Sequence, residues 1–177
     1  TNSNGEKIVW TLYYPSKTWK LPLIIFSHGL GQTRSSWKTY AEYFAWKWIA
    51  VYAFDYRWWG PKSESDGTTT WMTVLTEVEN LKTVISEATN RSFVDSSNIV
   101  LMGISQWWLV SALVSAELWN KIKWDILFYP AFSIQDTVKS IYKSLNQVPA
   151  TYNFLWQITL GKKYAEDIWN YDVYDTT

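Results

Sequence analysis

The chain has 177 residues, of which 47% are hydrophobic and 18% are charged, and its 16 basic and 16 acidic side chains give a formal net charge of zero. This composition is that of a folded globular domain and excludes a disordered chain. The charge balance leaves no basic surplus for nucleic acid or an anionic membrane surface. The absence of cysteine and the single histidine exclude disulfides and cysteine-based or multi-histidine metal sites.

The sequence also bears on location and partners. No apolar run reaches the roughly 20 residues that a membrane-spanning helix needs, and residues 1–7 lack the pattern of a signal peptide. We therefore expect a cytoplasmic protein with no membrane or nucleic-acid partner, no metal and no cofactor. The oligomeric state stays open. Because the chain does not begin with Met, we expect that residues precede Thr1.

The first part of the chain alternates between strand and helix patterns. Residues 7–14 alternate and are rich in β-forming side chains, which predicts a strand. Residues 21–27 and 49–54 are short apolar runs, which are typical of strands buried on both faces. Between them, apolar side chains recur at helical spacing over residues 35–47. Residues 57–70 have the Gly, Pro, Ser and Asp of a loop.

The alternation continues through the middle of the chain. Residues 72–90 predict a helix, 98–102 a third buried strand, 108–118 a helix and 124–129 a fourth strand. Such alternation predicts mutually parallel strands in one sheet, with helices on both faces. Beyond Pro130 the pattern loosens: residues 134–145 favour one helix, and residues 146–177 show no strong period.

Ser105 lies in the first of two informative loops, Gly-Ile-Ser-Gln-Trp (103–107), directly after the third buried strand and before a helix. A serine on such a turn stands at the carboxyl end of a parallel sheet, where open α/β proteins place their sites. The turn needs small residues two positions before and after the serine, which Gly103 provides and Trp107 does not. The N-terminus of the following helix favours negative charge on a bound oxygen.

The second loop, Ser-His-Gly-Leu-Gly (27–31), follows the first buried strand. The backbone N–H of Leu30, together with that of Gln106, would complete an oxyanion hole beside Ser105. We assign His28 and Gly29 a structural role in this loop, because the histidine precedes the serine and lies in the loop itself. A Gly-x-Ser triplet is common by chance, so its position after a buried strand is what favours catalysis. A sugar-binding platform is disfavoured, because the Trp residues fall in helices, turns and strand starts.

These motifs are parts of a wider pattern. It comprises LPLIIFSHGLG (21–31), AVYAFDYR (50–57), SESDG (63–67), MTVLTEVENL (72–81), NIVLMGISQ (98–106) and ILFYPAF (126–132). This stretch resembles the α/β-hydrolase superfamily, and within it small bacterial serine esterases of the cinnamoyl or feruloyl esterase and acyl-thioester hydrolase type. The resemblance implies an α/β fold with a mostly parallel sheet flanked by helices. It also implies cleavage of small-molecule carboxylic esters through an acyl-enzyme on Ser105.

The chain departs from that family in one important respect. The family orders its triad as Ser, then Asp or Glu, then His, and no histidine follows Ser105. We therefore expect residues 1–177 to form a single incomplete domain that lacks its C-terminal strands and the triad acid and base, so that this fragment is inactive alone. The resemblance further implies a cap inserted over residues 132–174.

Other functions remain open at this stage. A serine peptidase or an acyl-CoA thioesterase would use the same scaffold, and so would a non-catalytic binding protein of this fold. The sequence does not distinguish the acyl and alcohol groups of a substrate.

The chain has 14 Trp and only 7 Gly. Six tryptophans stand where a turn, a helix end or the family pattern favours glycine: Trp48, Trp58, Trp59, Trp107, Trp108 and Trp124. Trp and Gly codons differ by one base, and some bacteria read UGA as glycine, so we hypothesise that these residues are misread glycines. Trp10, Trp19, Trp119 and Trp156 are further candidates. Because Trp48 follows a predicted helix, the hypothesis predicts a positive φ there.

Overall fold

A computed structural model describes residues 5–16, 19–29, 31–57, 62–129, 133–154 and 158–171. Its strands are β1 (Trp10–Tyr13), β2 (Leu21–Ser27), β3 (Ala50–Phe54), β4 (Val94–Ile104), β5 (Ile122–Phe128), β6 (Thr151–Phe154) and β7 (Ile158–Gly161). Its α-helices are α1 (Lys38–Trp46), α2 (Val74–Thr89), α3 (Gln106–Glu117), α4 (Ile134–Ile141) and α5 (Lys162–Ile168).

Five strands form the main sheet, in the order β1-β3-β2-β4-β5. Strands β2 to β5 are parallel to one another, and β1 is antiparallel to β3. This confirms the predicted mostly parallel sheet. The register brings Ser27 opposite Gly103, and Ile104 opposite Phe128. The loops that follow β2, β4 and β5 therefore leave the sheet side by side at one edge.

The core has two layers because the inner strands are apolar on both faces. In β2, Leu23 and Ile25 face the larger cluster with α2 and α3, whereas Ile24 and Phe26 face the smaller cluster with α1. This two-residue alternation follows from strand geometry. The helices thus cover both faces of the sheet, as the sequence predicts.

Strand β5 lies at the edge of the sheet among the described residues. It begins at Ile122, two residues before the predicted start, so Trp124 lies inside the strand rather than at its opening. Trp124, Ile126 and Phe128 alternate along it and are 65%, 40% and 42% exposed. One face of β5 is therefore apolar and accessible in the described chain.

The C-terminus of α1 has the hydrogen bonding of a Schellman motif. The N–H of Trp48 donates to Ala45 O at 3.1 Å, and the N–H of Ile49 donates to Phe44 O at 3.1 Å. Trp48 occupies the position that glycine usually takes in this motif, and its φ is +66°. The predicted positive φ at Trp48 is confirmed.

The segment after β5 folds into α4, the antiparallel hairpin β6–β7, and α5. The hairpin packs on the turn before α2: Thr69 Oγ1 donates to Thr159 O at 2.6 Å, and a Cβ at Gly161 would collide with the carbonyl oxygen of Thr70. The predicted helix over residues 134–145 ends at Ile141, because the next residue is extended. The hairpin was not predicted, because four-residue strands are too short to show a clear alternation in the sequence.

Candidate active site

Ser105 lies on the turn between β4 and α3, with φ +62° and ψ −128°. Its N–H donates to Phe128 O at 3.0 Å, which ties the turn to the end of β5. Gly103 makes this turn possible, because a Cβ there would stand 2.8 Å from Trp107 O and 2.9 Å from Ser111 Oγ. A non-glycine residue in this backbone region is strained by roughly 1–3 kcal/mol. The surrounding structure therefore holds Ser105 in an unfavourable conformation.

The loop after β2 packs against this turn. A Cβ at Gly29 would stand 3.1 Å from Ile104 Cγ2. The N–H of Gly29 donates to Gln32 Oε1 at 2.9 Å, and the N–H of Gln32 donates to Gly29 O at 3.0 Å. The loop is thus closed on itself beside the residue that precedes Ser105. Leu30 lies outside the described residues, so its N–H stays a prediction.

His28 is fully buried between the loops that follow β2 and β3. The N–H of Tyr56 donates to His28 Nε2 at 3.3 Å, which leaves Nδ1 to donate to Gly29 O at 3.3 Å. Burial lowers the pKa of His28 to about 4, so the ring is neutral at pH 7. Tyr56 also exchanges a 3.0 Å hydrogen bond with Ser27 Oγ. The histidine therefore links two loops at the carboxyl end of the sheet.

Gln106, the first residue of α3, belongs to a buried polar network. Its Nε2 donates to Glu77 Oε2 at 2.8 Å, and Tyr164 OH donates to its Oε1 at 2.6 Å. Glu77 has no exposed surface. Burial raises the pKa of Glu77 to about 8, against the opposing effect of the hydrogen bond from Gln106. Residues from α2 and α5 thus meet directly behind the Ser105 turn.

Asp55, the residue after β3, is fully buried and organises the neighbouring loops. It accepts hydrogen bonds from the backbone N–H of Arg34 at 2.6 Å and of Glu64 at 3.3 Å. The Arg34 guanidinium pairs with both Asp55 and Glu64. One carboxylate therefore holds the segment before α1 against the loop after β3, and both border the site.

The described ranges hold no group of three or more His, Cys, Asp or Glu side chains placed to bind a metal ion. None of their helices is long and apolar enough to cross a membrane.

Comparison with solved structures decides the fold. Est1E from Butyrivibrio proteoclasticus with ferulic acid bound is similar with a TM-score of 0.85 and 23% identity, over 99% of this chain and 72% of Est1E. The α/β hydrolase GrgF from Penicillium sp. sh18 is similar with a TM-score of 0.73 and 14% identity, over 99% and 73% of the two chains. The chain has the α/β-hydrolase fold. No protein-family model matches it.

A sequence relative adds to the structural neighbours of this α/β-hydrolase-fold chain. This chain is 32% identical over 106 residues to the quorum-quenching protein AidA of Acinetobacter baumannii (strain MDR-ZJ06). The match covers 59% of this chain and 34% of AidA. The aligned part thus spans about a third of the length of this curated relative.

Within the α/β-hydrolase fold, the structure brings the predicted residues His28, Gly29, Ser105 and Gln106 to one end of the sheet. Sequence reasoning missed Glu77, although a signal was present. Glu77 stands among Val74, Val78 and Leu81 on the buried stripe of α2. An acidic residue in an apolar stripe requires a partner, and the partner is Gln106.

Proposed function

We propose that the chain carries the nucleophile and the oxyanion-binding region of a serine hydrolase that cleaves carboxylic esters, with Ser105 as the nucleophile. The observation that carries the proposal is the strained φ of +62° at Ser105, on a turn between a parallel strand and a helix. Strained backbone persists where the surrounding structure over-determines it, and such residues cluster at active sites.

In this mechanism, Ser105 Oγ attacks the ester carbonyl carbon while a general base takes its proton. The carbonyl oxygen becomes an oxyanion, which accepts hydrogen bonds from the N–H groups of Gln106 and Leu30. Collapse of the tetrahedral intermediate expels the alcohol, which receives the proton. Water then hydrolyses the acyl-enzyme by the same route and releases the carboxylic acid. Gln106 suits this role because the first N–H groups of a helix have no acceptor within it.

His28 does not serve as the base in this proposal. Its Nε2 accepts from Tyr56 and its Nδ1 donates to Gly29, so the ring is committed to holding the loops. The low pKa of about 4 also makes it a weak proton acceptor at neutral pH. We place the triad acid and base in residues of the whole protein that lie outside these 177, and residues 132–174 in a cap.

The ester class rests on a structural neighbour. Est1E, a protein of the same fold, has ferulic acid bound, and ferulic acid is an aromatic carboxylic acid. An esterase that releases such an acid acts on an ester of it, so short aryl and arylacyl esters are the substrates to test first.

The experiment uses the full-length gene product and three chromogenic substrates: an aryl ester, an acyl-CoA thioester and a peptide anilide. We expect turnover of the ester, and loss of that turnover in Ser105→Ala. Ser140→Ala is the matched control, because Ser140 is exposed on α4, and it should keep full activity. Ester turnover that survives Ser105→Ala would refute the nucleophile. Preference for the anilide or the thioester would replace the ester by a peptidase or thioesterase assignment, and a folded protein inactive on all three would indicate a binding function.

A further inference from the structure

We infer that Tyr164 and Glu77 are positioning residues, which clamp the Gln106 side chain from two sides and so fix the direction of the Gln106 backbone N–H. The inference rests on the proposed function, in which that N–H binds the oxyanion. It adds two residues to the site, and neither touches the substrate.

The Glu77 side of the clamp comes from α2. Glu77 Oε2 accepts from Gln106 Nε2 at 2.8 Å. Met72 Sδ lies 3.7 Å from the same nitrogen, so the amide is enclosed by the start of α2. Glu77 is fully buried and Gln106 is 7% exposed. A hydrogen bond in such surroundings is stronger than in water, and an unmet polar group there is costly.

The Tyr164 side comes from α5, which follows the hairpin β6–β7. The Tyr164 hydroxyl donates to Gln106 Oε1 at 2.6 Å, and Tyr164 is fully buried. Both ends of the Gln106 amide are thus held, the nitrogen by Glu77 and the oxygen by Tyr164. Among the described residues, the hydrogen bond from Tyr164 to Gln106 therefore connects the segment after β5 to the Ser105 turn, so docking of this segment and the geometry of the turn are coupled.

The clamp affects catalysis by fixing where the backbone N–H of Gln106 lies relative to the oxyanion. Gln106 is the first residue of α3, and its backbone N–H has to meet an oxyanion that forms only in the transition state. A loosened Gln106 side chain lets the first turn of α3 tilt and moves that N–H. Removing an oxyanion donor lowers kcat by about 10²–10³-fold, so a displaced donor is expected to lower it by about tenfold. KM should change little, because the ground state does not use the oxyanion contact.

The test compares variants that remove one hydrogen bond each. Tyr164→Phe deletes only the hydroxyl and should lower kcat with KM unchanged. Tyr152→Phe is the matched control: Tyr152 is buried on β6, and its hydroxyl has no hydrogen-bond partner within the described ranges. It should leave kcat unchanged. Glu77→Met removes the acceptor and should lower kcat. Glu77→Gln keeps an acceptor oxygen, so its kcat should stay close to that of the wild type.

A second readout separates the clamp from the proposed function. Backbone hydrogen exchange of residues 103–108 in the full-length protein should accelerate in Tyr164→Phe and Glu77→Met, and stay as in the wild type in Tyr152→Phe and Glu77→Gln. Unchanged exchange and unchanged kcat in Tyr164→Phe would overturn the clamp, even where Ser105→Ala shows that Ser105 is the nucleophile. Faster exchange in a protein whose turnover does not need Ser105 would keep the clamp as a structural device and end its catalytic role.

Discussion

The side-chain amide of Gln106 donates a 2.8 Å hydrogen bond to Glu77, a carboxyl group with no exposed surface. Burial raises the pKa of Glu77 to about 8, so the group is largely protonated at neutral pH. The titratable groups that face it are Tyr56 and Tyr164, and burial raises the pKa of both well above the ordinary value of 10. Glu77 is therefore the member of this cluster that titrates near physiological pH.

This raised pKa predicts how stability depends on pH. In the unfolded chain the pKa of Glu77 returns to about 4.5, so between about pH 4.5 and pH 8 the folded state binds the extra proton. The contribution of Glu77 to the free energy of unfolding should thus be complete below pH 4.5 and fall as the pH rises towards 8. Glu77→Gln should remove this dependence and gain roughly 1–4 kcal/mol relative to the wild type at pH 8.

Urea unfolding at pH 5 and pH 8 measures this difference. Glu79→Gln is the control, because Glu79 is exposed on the same helix and its variant should keep the slope of the wild type. An equally steep pH dependence in Glu77→Gln would show that the carboxyl is ionised in the folded protein.

The backbone at position 48 is expected to favour glycine over alanine. Its φ of +66° is unfavourable for a residue with a Cβ, by about 1–2 kcal/mol. Trp48→Ala removes the indole but keeps the strain, so Trp48→Gly should be more stable than Trp48→Ala by about 1 kcal/mol. Tyr43→Gly, at an exposed position inside α1, should instead destabilise because glycine is unfavourable in a helix interior. Thermal melts of the three variants decide, and equal stability of the Gly and Ala variants at position 48 would count against backbone strain.

The misreading hypothesis makes a separate prediction about the gene. The codons at positions 48, 107, 108 and 124 should be UGA, and peptides of the protein isolated from its own organism should carry glycine there. Trp58 and Trp59 lie outside the described residues, so the codons alone test them. Trp107 is buried in α3 and Trp124 is exposed within β5, and neither backbone requires glycine. UGG codons at these positions would end the hypothesis.

Removal of the Arg34 charge should lower the free energy of unfolding strongly. The Arg34 guanidinium pairs with Asp55, which has no exposed surface, and breaking such a pair leaves a buried charge without its partner. Arg34→Met should lower the free energy of unfolding by about 3 kcal/mol. Lys38→Met is the matched control, because the pair of Lys38 with Glu42 is exposed and 3.8 Å long. Its effect should stay within about 0.5 kcal/mol, and similar losses in both variants would refute the role of Asp55.

The sequence predicted the sheet well, because buried parallel strands are continuous apolar runs. Residues 21–27 match β2 in full, and the run at 49–54 differs from β3 by one residue. Helix α3 begins at Gln106, two residues before the predicted start. The reason is that Ser105 itself is the N-cap, so the helix follows the serine directly, without the two further turn residues that the prediction allowed.

The polar network of the site could not be predicted from the sequence. Tyr164 and Gln106 are separated by 58 residues, and no period or motif links α5 to the Ser105 turn. The link depends on the docking of the hairpin β6–β7, whose strands are too short to recognise. Glu77 was within reach, because its place on an apolar stripe already required a buried partner.

Covalent labelling of Ser105 tests the central claim most directly. A fluorophosphonate reacts with an activated serine when the oxygen attacks phosphorus and fluoride leaves. In the full-length protein, peptide mass spectrometry should find the phosphonyl group on Ser105, and labelling should be lost in Ser105→Ala and kept in Ser140→Ala. A label on another residue, or ester turnover that continues after complete labelling of Ser105, would contradict the account.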